Sequence, residues 1–381
     1  MGKEYNKYFI FLSFFLIGGF FMLFVKVDDL KPGMRLGKPI YNKNGVLLYD
    51  RDTKLTMQAI YGIRNFGLMG LYILEPAEPL PPMSEEDINF ERFQTMAVFS
   101  IKEDLQLIIA DKKDKGLDWL CSLVIKNYAN LPKKINFIQN LRSNDDFTYK
   151  HSISVAILCA VIAGRMNMTP TRMNALVKAA LLHDCGAVGM VPATAAEEDL
   201  QLRAAARTRT IEILKNYSGM DENVLRTIIH MQELYVNNGD GVSEAVKSNV
   251  EAAILFVADA YDRRTAMKSF EEPTSEVKAL RELLDDPGRF DPVVVQALIA
   301  GINVLYPGVC VQLTDHVQGL VLHENENDIF KPWVLSFRDN KIYDLSNPQT
   351  SGDLSLIDIM KTMDNRIKLD PDLLKQYLQS E

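Results

Sequence analysis

Histidine is scarce in this chain, five in 381 residues, so any site built on imidazole has few candidates. Cysteine is scarcer still. The four (Cys121, Cys159, Cys185 and Cys310) show no C-x-x-C spacing, and three sit in apolar or helix-like surroundings. They read as reduced thiols of a cytosolic protein and not as a disulfide framework. Basic charge is short as well: the net charge of −8 argues against a binder of nucleic-acid polymers, which needs a positive field. No internal repeat or low-complexity tract is visible. What is present is a chain with 47% apolar and 24% charged residues, long enough for two or three domains with packed cores.

The N-terminus stands apart. "YFIFLSFFLIGGFFMLFV", Tyr8 to Val25, has no charged residue over 18 positions and carries seven of the 18 Phe. That length just suffices for a bilayer-spanning helix. Lys3 and Lys7 precede it, and no small-residue cleavage site follows, which argues against a removed signal peptide. Two readings stay open for residues 1–25. One is an anchor holding the protein to the inner face of the cytoplasmic membrane. The other is a mis-called start, with "MLFVKVDDLKPGMRL" from Met22 opening a soluble domain.

A small α+β unit follows over residues 26–77. "MRLGKPIY" and "GVLLYD" are strand-like runs joined by a hairpin signal at Asn42-Lys43-Asn44-Gly45. Thr56 caps a helix-like "MQAIYGIRNF", Gly67 stands at its end, and "LMGLYIL" closes as a strand. Residues 78–117 comprise a proline-rich linker and a long helix. Ser84 and Asp87 form its capping pattern, and it runs to about Asp111.

From 118 to 305 the periodicity is almost wholly helical, broken at Pro132, Pro170, Gly186, Gly219, Gly239 and Pro287. "VCVQLT", "QGLVLHEN", "PWVLSFR" and "KIYDLS" then alternate like strands of a small antiparallel sheet over 306–346. A helical tail is expected over 347–381, beginning near Leu354. The fold class is therefore mainly α, a helical bundle between a small α+β domain and an antiparallel β extension.

The chemistry gathers at helix ends. His151 opens "HSISVAILCAVIAGRM", His183-Asp184 closes "LVKAALLHD", and "VEAAILFVADAYD" ends in Asp259 and Asp262. Two imidazoles with two or three carboxylates form a mixed N/O set suited to Fe, Mn, Zn or a related divalent ion. Such a set can polarise a phosphate oxygen or activate a water. Taken singly, a His-Asp pair or a helix-terminal Asp is more often structural. Their joint placement, each beside an apolar helix, points to a metal site. His316 and His323, in the strand-rich part, read as surface residues.

"DDFTYKHSISVAIL", "ALLHDCGAVGMVP" and "FVADAYDRRTAMKSFEE" resemble the HD-GYP branch of the HD phosphohydrolase superfamily. The flanking "VKVDDLKPGMRLGKPIYNKNGVLL" and "YPGVCVQLTDHVQGLVLHENENDIFKPWVLSF" are similar to segments found around such domains, so the resemblance covers about Val25 to Ser346. It implies a helical HD-type bundle that hydrolyses cyclic di-GMP with two or three metal ions. It places the metal ligands on His151, His183, Asp184 and Asp259, with catalytic roles for Asp184 and a phosphate-facing Lys268.

The departures bear on activity. A Lys expected after Gly186 is Ala187. A further His ligand falls near Ala206, and a His pair falls on Met231-Gln232, with Glu233 kept. Only Asp240-Gly241 survives of the GYP loop, and a second basic residue is Glu271. His230, one residue before the expected pair, lies about 100° around a helix and is expected to point away. Three functions follow. The first is a degenerate HD-GYP module with a residual site, holding no ion or one divalent ion and acting as a scaffold for a cyclic dinucleotide or a signalling protein, alone or as a homodimer. The second is a mononuclear HD phosphohydrolase on another phosphoester. The third is an active cyclic di-GMP phosphodiesterase with unorthodox ligands.

Overall fold

The computed structural model describes residues 21–41, 46–65, 70–75, 84–139, 142, 146–191, 200–237, 243–268, 273–339 and 341–359. The expected hairpin turn at 42–45, Gly67, the proline-rich linker, Asp240-Gly241 and Glu271 lie outside these.

The N-terminal unit begins earlier than its composition suggests. Strand β1 (Phe21–Lys26) pairs antiparallel with β4 (Gly70–Glu75), from Phe21 against Glu75 to Lys26 against Gly70. The last five residues of the apolar run, Phe21 to Val25, are therefore extended and not helical, a correction to the span expected over Tyr8 to Val25. Phe-rich and β-branched sequence suits a strand as well as a membrane helix, and here pairing with β4 decides. Residues 8–20 lie outside the described chain. Strands β2 (Ile40–Tyr41) and β3 (Leu47–Tyr49) form a second short ribbon. Helix α1 (Met57–Asn65) starts where the Thr56 hydroxyl accepts from the Ala59 amide at 3.1 Å. Leu36, Leu55, Ile60, Ile63 and Ile73 close this unit's core.

Helix α2 (Glu85–Asp111) opens at Ser84, whose hydroxyl accepts from the Asp87 amide at 3.1 Å. It leads into the bundle: α3 (Leu117–Tyr128), α4 (Phe147–Arg165), α5 (Pro170–Leu182), α6 (Leu200–Lys215), α7 (Glu222–Asn237), the single turn α8 (Glu244–Lys247), α9 (Val250–Thr265), α10 (Glu276–Leu284) and α11 (Pro292–Gly301). Helix α4 is the axis, packed against α2, α3, α5, α9 and α11. Its run from Ile153 to Ala163 is buried on every side, as a helix apolar all round must be. It is also the one helix among the described residues long and apolar enough to cross a membrane, yet 78% of that window lies inside the protein. Lys38 ties the N-terminal unit to the bundle, donating to the Gln139 carbonyl at 3.0 Å and facing Glu91 at 3.6 Å.

Beyond α11 the chain forms a five-stranded antiparallel sheet of β5 (Cys310–Leu313), β6 (Gln318–His323), β7 (Trp333–Ser336), β8 (Ile342–Asp344) and, after the short α12 (Pro348–Ser351), β9 (Leu356–Ile359). The order is β8-β7-β6-β5-β9. Leu356 to Ile359 are a strand, which corrects the helical tail expected from Leu354. Alternation in "LSLIDI" buries Leu354, Leu356 and Asp358 on one face, a period of two that a short window hides. Residues 360–381 lie outside the described chain.

Candidate metal centre

Three helices converge on one buried cluster. His151 lies one turn into α4, His183 caps the C-terminus of α5 with Asp184 next, and Asp259 and Asp262 lie on the last turns of α9. His151, Asp259 and Asp262 have no exposure and His183 has 4%. Asp184 is partly exposed, so the cluster opens to solvent on that side.

The tautomers can be worked out from the partners. His183 Nδ1 faces the Ala180 carbonyl at 2.7 Å, an acceptor without a proton, so Nδ1 donates. His151 Nδ1 faces the Asp262 carboxylate at 2.6 Å and donates likewise. With Nδ1 donating outward, the Nε2 atom of each ring points inward. The two Nε2 atoms are 3.2 Å apart, and Asp259 Oδ1 lies 2.8 Å from one and 3.0 Å from the other. Three acceptors meeting at such distances call for a cation or a shared proton among them. Outer nitrogens bound to a carboxylate and a backbone carbonyl are also how metal-ligating histidines are oriented.

The donor atoms of His151, His183 and Asp184 all lie within 4.8 Å of one another, so the residues present fit one divalent ion; a second such group is not found among the described residues.

Behind this set stands a second layer that sequence reasoning missed. Arg142, fully buried, clasps Asp262 with NH1 on Oδ2 and NH2 on Oδ1, both at 2.6 Å. Gln139 donates to Asp262 and Thr265, at 3.3 and 2.9 Å, and accepts from Arg142 at 2.9 Å. Phe147 stacks on the His151 ring. Asp262, read at first among the possible ligands, thus orients His151.

On the opposite side, Arg263 donates through Nε to both Asp259 oxygens (3.1 and 3.0 Å) and through NH2 to Asp184 Oδ2 (2.9 Å). The Tyr235 hydroxyl donates to Asp259 Oδ2. The i,i+4 spacing of Asp259 and Arg263 was the available signal. Tyr235 had none until α7 was placed.

Charges follow from this wiring. Burial works against the Asp259 and Asp184 carboxylates, but Arg263 and the imidazoles outweigh it, holding Asp259 well below the usual range and Asp184 down to about 2. Burial likewise opposes a charge on His183, yet its hydrogen bond to Asp259 and the nearby carboxylates raise its pKa. Tyr235 is pushed upward by burial and by Asp259.

The remaining sequence candidates fall elsewhere. Ala206, on α6, is buried over the turn that follows the His-Asp pair. Gly186 donates to Thr210 Oγ1 at 3.0 Å, and Arg209 donates to the Gly186 and Val188 carbonyls at 2.8 Å each. Met231 is buried in the core, and Gln232 donates to the Arg207 carbonyl at 3.4 Å. His230 accepts from Asn249 Nδ2 at 2.9 Å and lines a separate polar groove with Arg172, Lys178 and Arg226. Lys268 pairs through its backbone with Arg142 beyond the end of α9. His316 and His323 are exposed.

One family model falls on the residues of this cluster. The HD domain family model matches residues 148–264, which hold the whole His–Asp cluster. A curated relative, the cyclic di-GMP phosphodiesterase PA4108 of Pseudomonas aeruginosa, is 22% identical over 213 residues, 54% of this chain and 51% of that protein. The chain thus spans about half the length of the curated relative it matches. Among solved structures, Bd1817, an HDG"Y"P protein from Bdellovibrio bacteriovorus, is 16% identical, with a TM-score of 0.42 over 73% of this chain and 98% of that one. With the matched region carrying His183 and Asp184 at the mouth of a buried cluster, residues 148–264 of this chain are an HD domain, and the chain around it is similar to a cyclic di-GMP phosphodiesterase.

Proposed function

We propose that the chain is an HD-GYP-type module impaired in hydrolysis of cyclic di-GMP, which works by binding a cyclic dinucleotide or a signalling protein. The observation that carries this is the composition of the cluster. His151, His183 and Asp184 converge for one ion, while the positions where the resemblance expects more imidazole are Ala206, buried Met231 and amide-bearing Gln232. In two-metal hydrolysis one ion stabilises the attacking oxygen and its partner the leaving oxygen. Among the described residues the side chains gather donors for one. His151 and His183 would hold it, Asp184 would complete the set, and Asp262 with Arg142 keeps His151 in the tautomer required.

Electrostatics points the same way. A cyclic dinucleotide is a dianion, and its hydrolysis adds negative charge in the transition state. Removing one preorganised donor costs on the order of 100- to 1000-fold in rate. Lys268 is the cation we propose to face the phosphate. Residues 8–20 remain a proposed membrane attachment ahead of β1.

The test is turnover of cyclic di-GMP by the purified chain with added Mn or Fe, products separated chromatographically. The expected outcome is no accumulation of linear dinucleotide or GMP. Multiple turnovers that vanish in Asp184→Ala overturn the proposal.

The one-ion donor set also favours a second reading, a mononuclear phosphohydrolase on another phosphoester. Hydrolysis of a simple aryl phosphodiester, lost in His183→Ala, distinguishes it from a binding module.

A further inference from the structure

Arg263 lies one helical turn beyond Asp259 and is only 16% exposed in its side chain. Its Nε spans both oxygens of Asp259, and its NH2 reaches Asp184 Oδ2 at 2.9 Å. One fixed positive charge therefore joins two carboxylates of the cluster from two different segments, the α5–α6 turn and α9. A guanidinium never gives up its charge, and its planar fork suits two carboxylates at once. The Tyr235 hydroxyl adds a further donor on Asp259 Oδ2. The acidic side of the cluster is thereby partly neutralised and fully engaged in hydrogen bonds to the chain itself.

A divalent ion entering between His151, His183 and Asp184 would meet this arrangement in two ways. It must draw on the carboxylate that Arg263 holds, and it must sit beside a fixed like charge in a partly desolvated place, where repulsion is only weakly screened. We infer that Arg263 is a tethered counter-cation that competes with a divalent metal ion for Asp184 and Asp259, so that loading the centre requires the guanidinium to withdraw. This rests on reading the cluster as a one-ion site. Arg263 is then the residue that sets how much free metal the centre needs before it fills, and it keeps the ion-free cluster intact below that level.

The experiment is Mn2+ titration of the full chain, stripped with chelator and returned to metal-free buffer. Free Mn2+ is followed by its electron paramagnetic resonance signal and bound ion by calorimetry. The proteins are the unmodified chain, Arg263→Ala, Arg263→Gln, Arg263→Lys and His183→Ala, each checked for native helix content by circular dichroism. Arg263→Gln keeps most of the side-chain volume, so the test stands if the alanine variant does not fold. Folded Arg263→Ala or Arg263→Gln is expected to bind Mn2+ more tightly by roughly tenfold or more, with Arg263→Lys nearer the unmodified chain because the charge stays. Unchanged or weaker binding in the neutral variants overturns the inference while leaving the one-ion site standing. Mn2+ binding that survives His183→Ala, or no binding by any of the proteins, overturns the site reading and the inference together.

Discussion

Arg142 and Asp262 meet end to end in the core, two nitrogens on two oxygens at 2.6 Å each, with neither side chain exposed. Breaking such a buried pair by removing one partner strands the other charge, at about 3–5 kcal/mol. Arg142→Met is therefore expected to lower unfolding stability by about that amount. The same change frees Asp262 to turn away from His151. Denaturant unfolding of both proteins checks the magnitude; a loss under about 1 kcal/mol would show that the pair contributes only as a surface pair does.

Acid should act through Asp262. Burial pushes its carboxyl up, but Arg142 and His151 outweigh that and hold it well below the usual range. A carboxyl with a lowered folded pKa stabilises the protein fully above its unfolded pKa, near 3.9. That contribution is lost as pH falls through the depressed folded value. Stability of the unmodified chain should thus fall more steeply below about pH 4 than that of Asp262→Asn, which is weaker at neutral pH and has no proton to take up there. Parallel pH profiles from unfolding curves would contradict this.

Metal content tests the cluster directly. Elemental analysis of protein purified without chelator is expected to give at most one divalent ion per chain, since the convergent donors are His151, His183 and Asp184 with Asp259 beside them. Two ions at full occupancy would refute it, and His183→Ala should remove whatever is bound.

Gly186 holds α6 against the His-Asp turn. A Cβ there would sit 2.2 Å from the Ala206 carbonyl oxygen and 2.5 Å from the Thr210 nitrogen, both backbone atoms that cannot swing aside. Gly186→Ala should cost at least the 1–3 kcal/mol (roughly) of an overpacked core and shift α6 outward. A thermal midpoint equal to the parent's would show that the turn adapts freely.

The N-terminal strand yields a truncation test. A chain beginning at Met22 keeps nearly the whole β1–β4 ladder, whereas one beginning at Val27 leaves β4 an open edge. The first should keep the N-terminal unit folded and the second should expose it to protease. If residues 8–20 attach the protein to a membrane, only the full-length chain sediments with vesicles and both truncated chains stay in the supernatant.

Local chemistry was the legible part. Ser84 and Thr56 mark helix starts because capping depends on a few adjacent residues, and α4 announces itself by an unbroken apolar run. His151, His183, Asp184 and Asp259 could be singled out because each ends or opens an apolar helix. Arg142 could not. It lies 120 residues from Asp262 in a segment without periodicity, and only the packed bundle brings them together. Tyr235 and Arg263 read as ordinary helix residues until α7 and α9 face the cluster. The strand at Leu356 was obscured by its brevity, and the strand at Phe21 by a hydropathy that suits two environments equally.

The placement of β9 has a consequence for how the chain emerges during synthesis. Strand β5 is made first, yet its outer neighbour is the last strand, some forty residues later. Until Leu356 to Ile359 leave the ribosome, β5 presents an unpaired edge, the kind of template on which newly made chains stick to one another. Arg281, on α10, waits there with its guanidinium for the Leu356 and Ile357 carbonyls, at 2.5 and 2.9 Å, and Ser275 for Asp358. The helical bundle thus carries the clasp that captures the last strand, and a chain ending before residue 356 would keep β5 as a bare sheet edge.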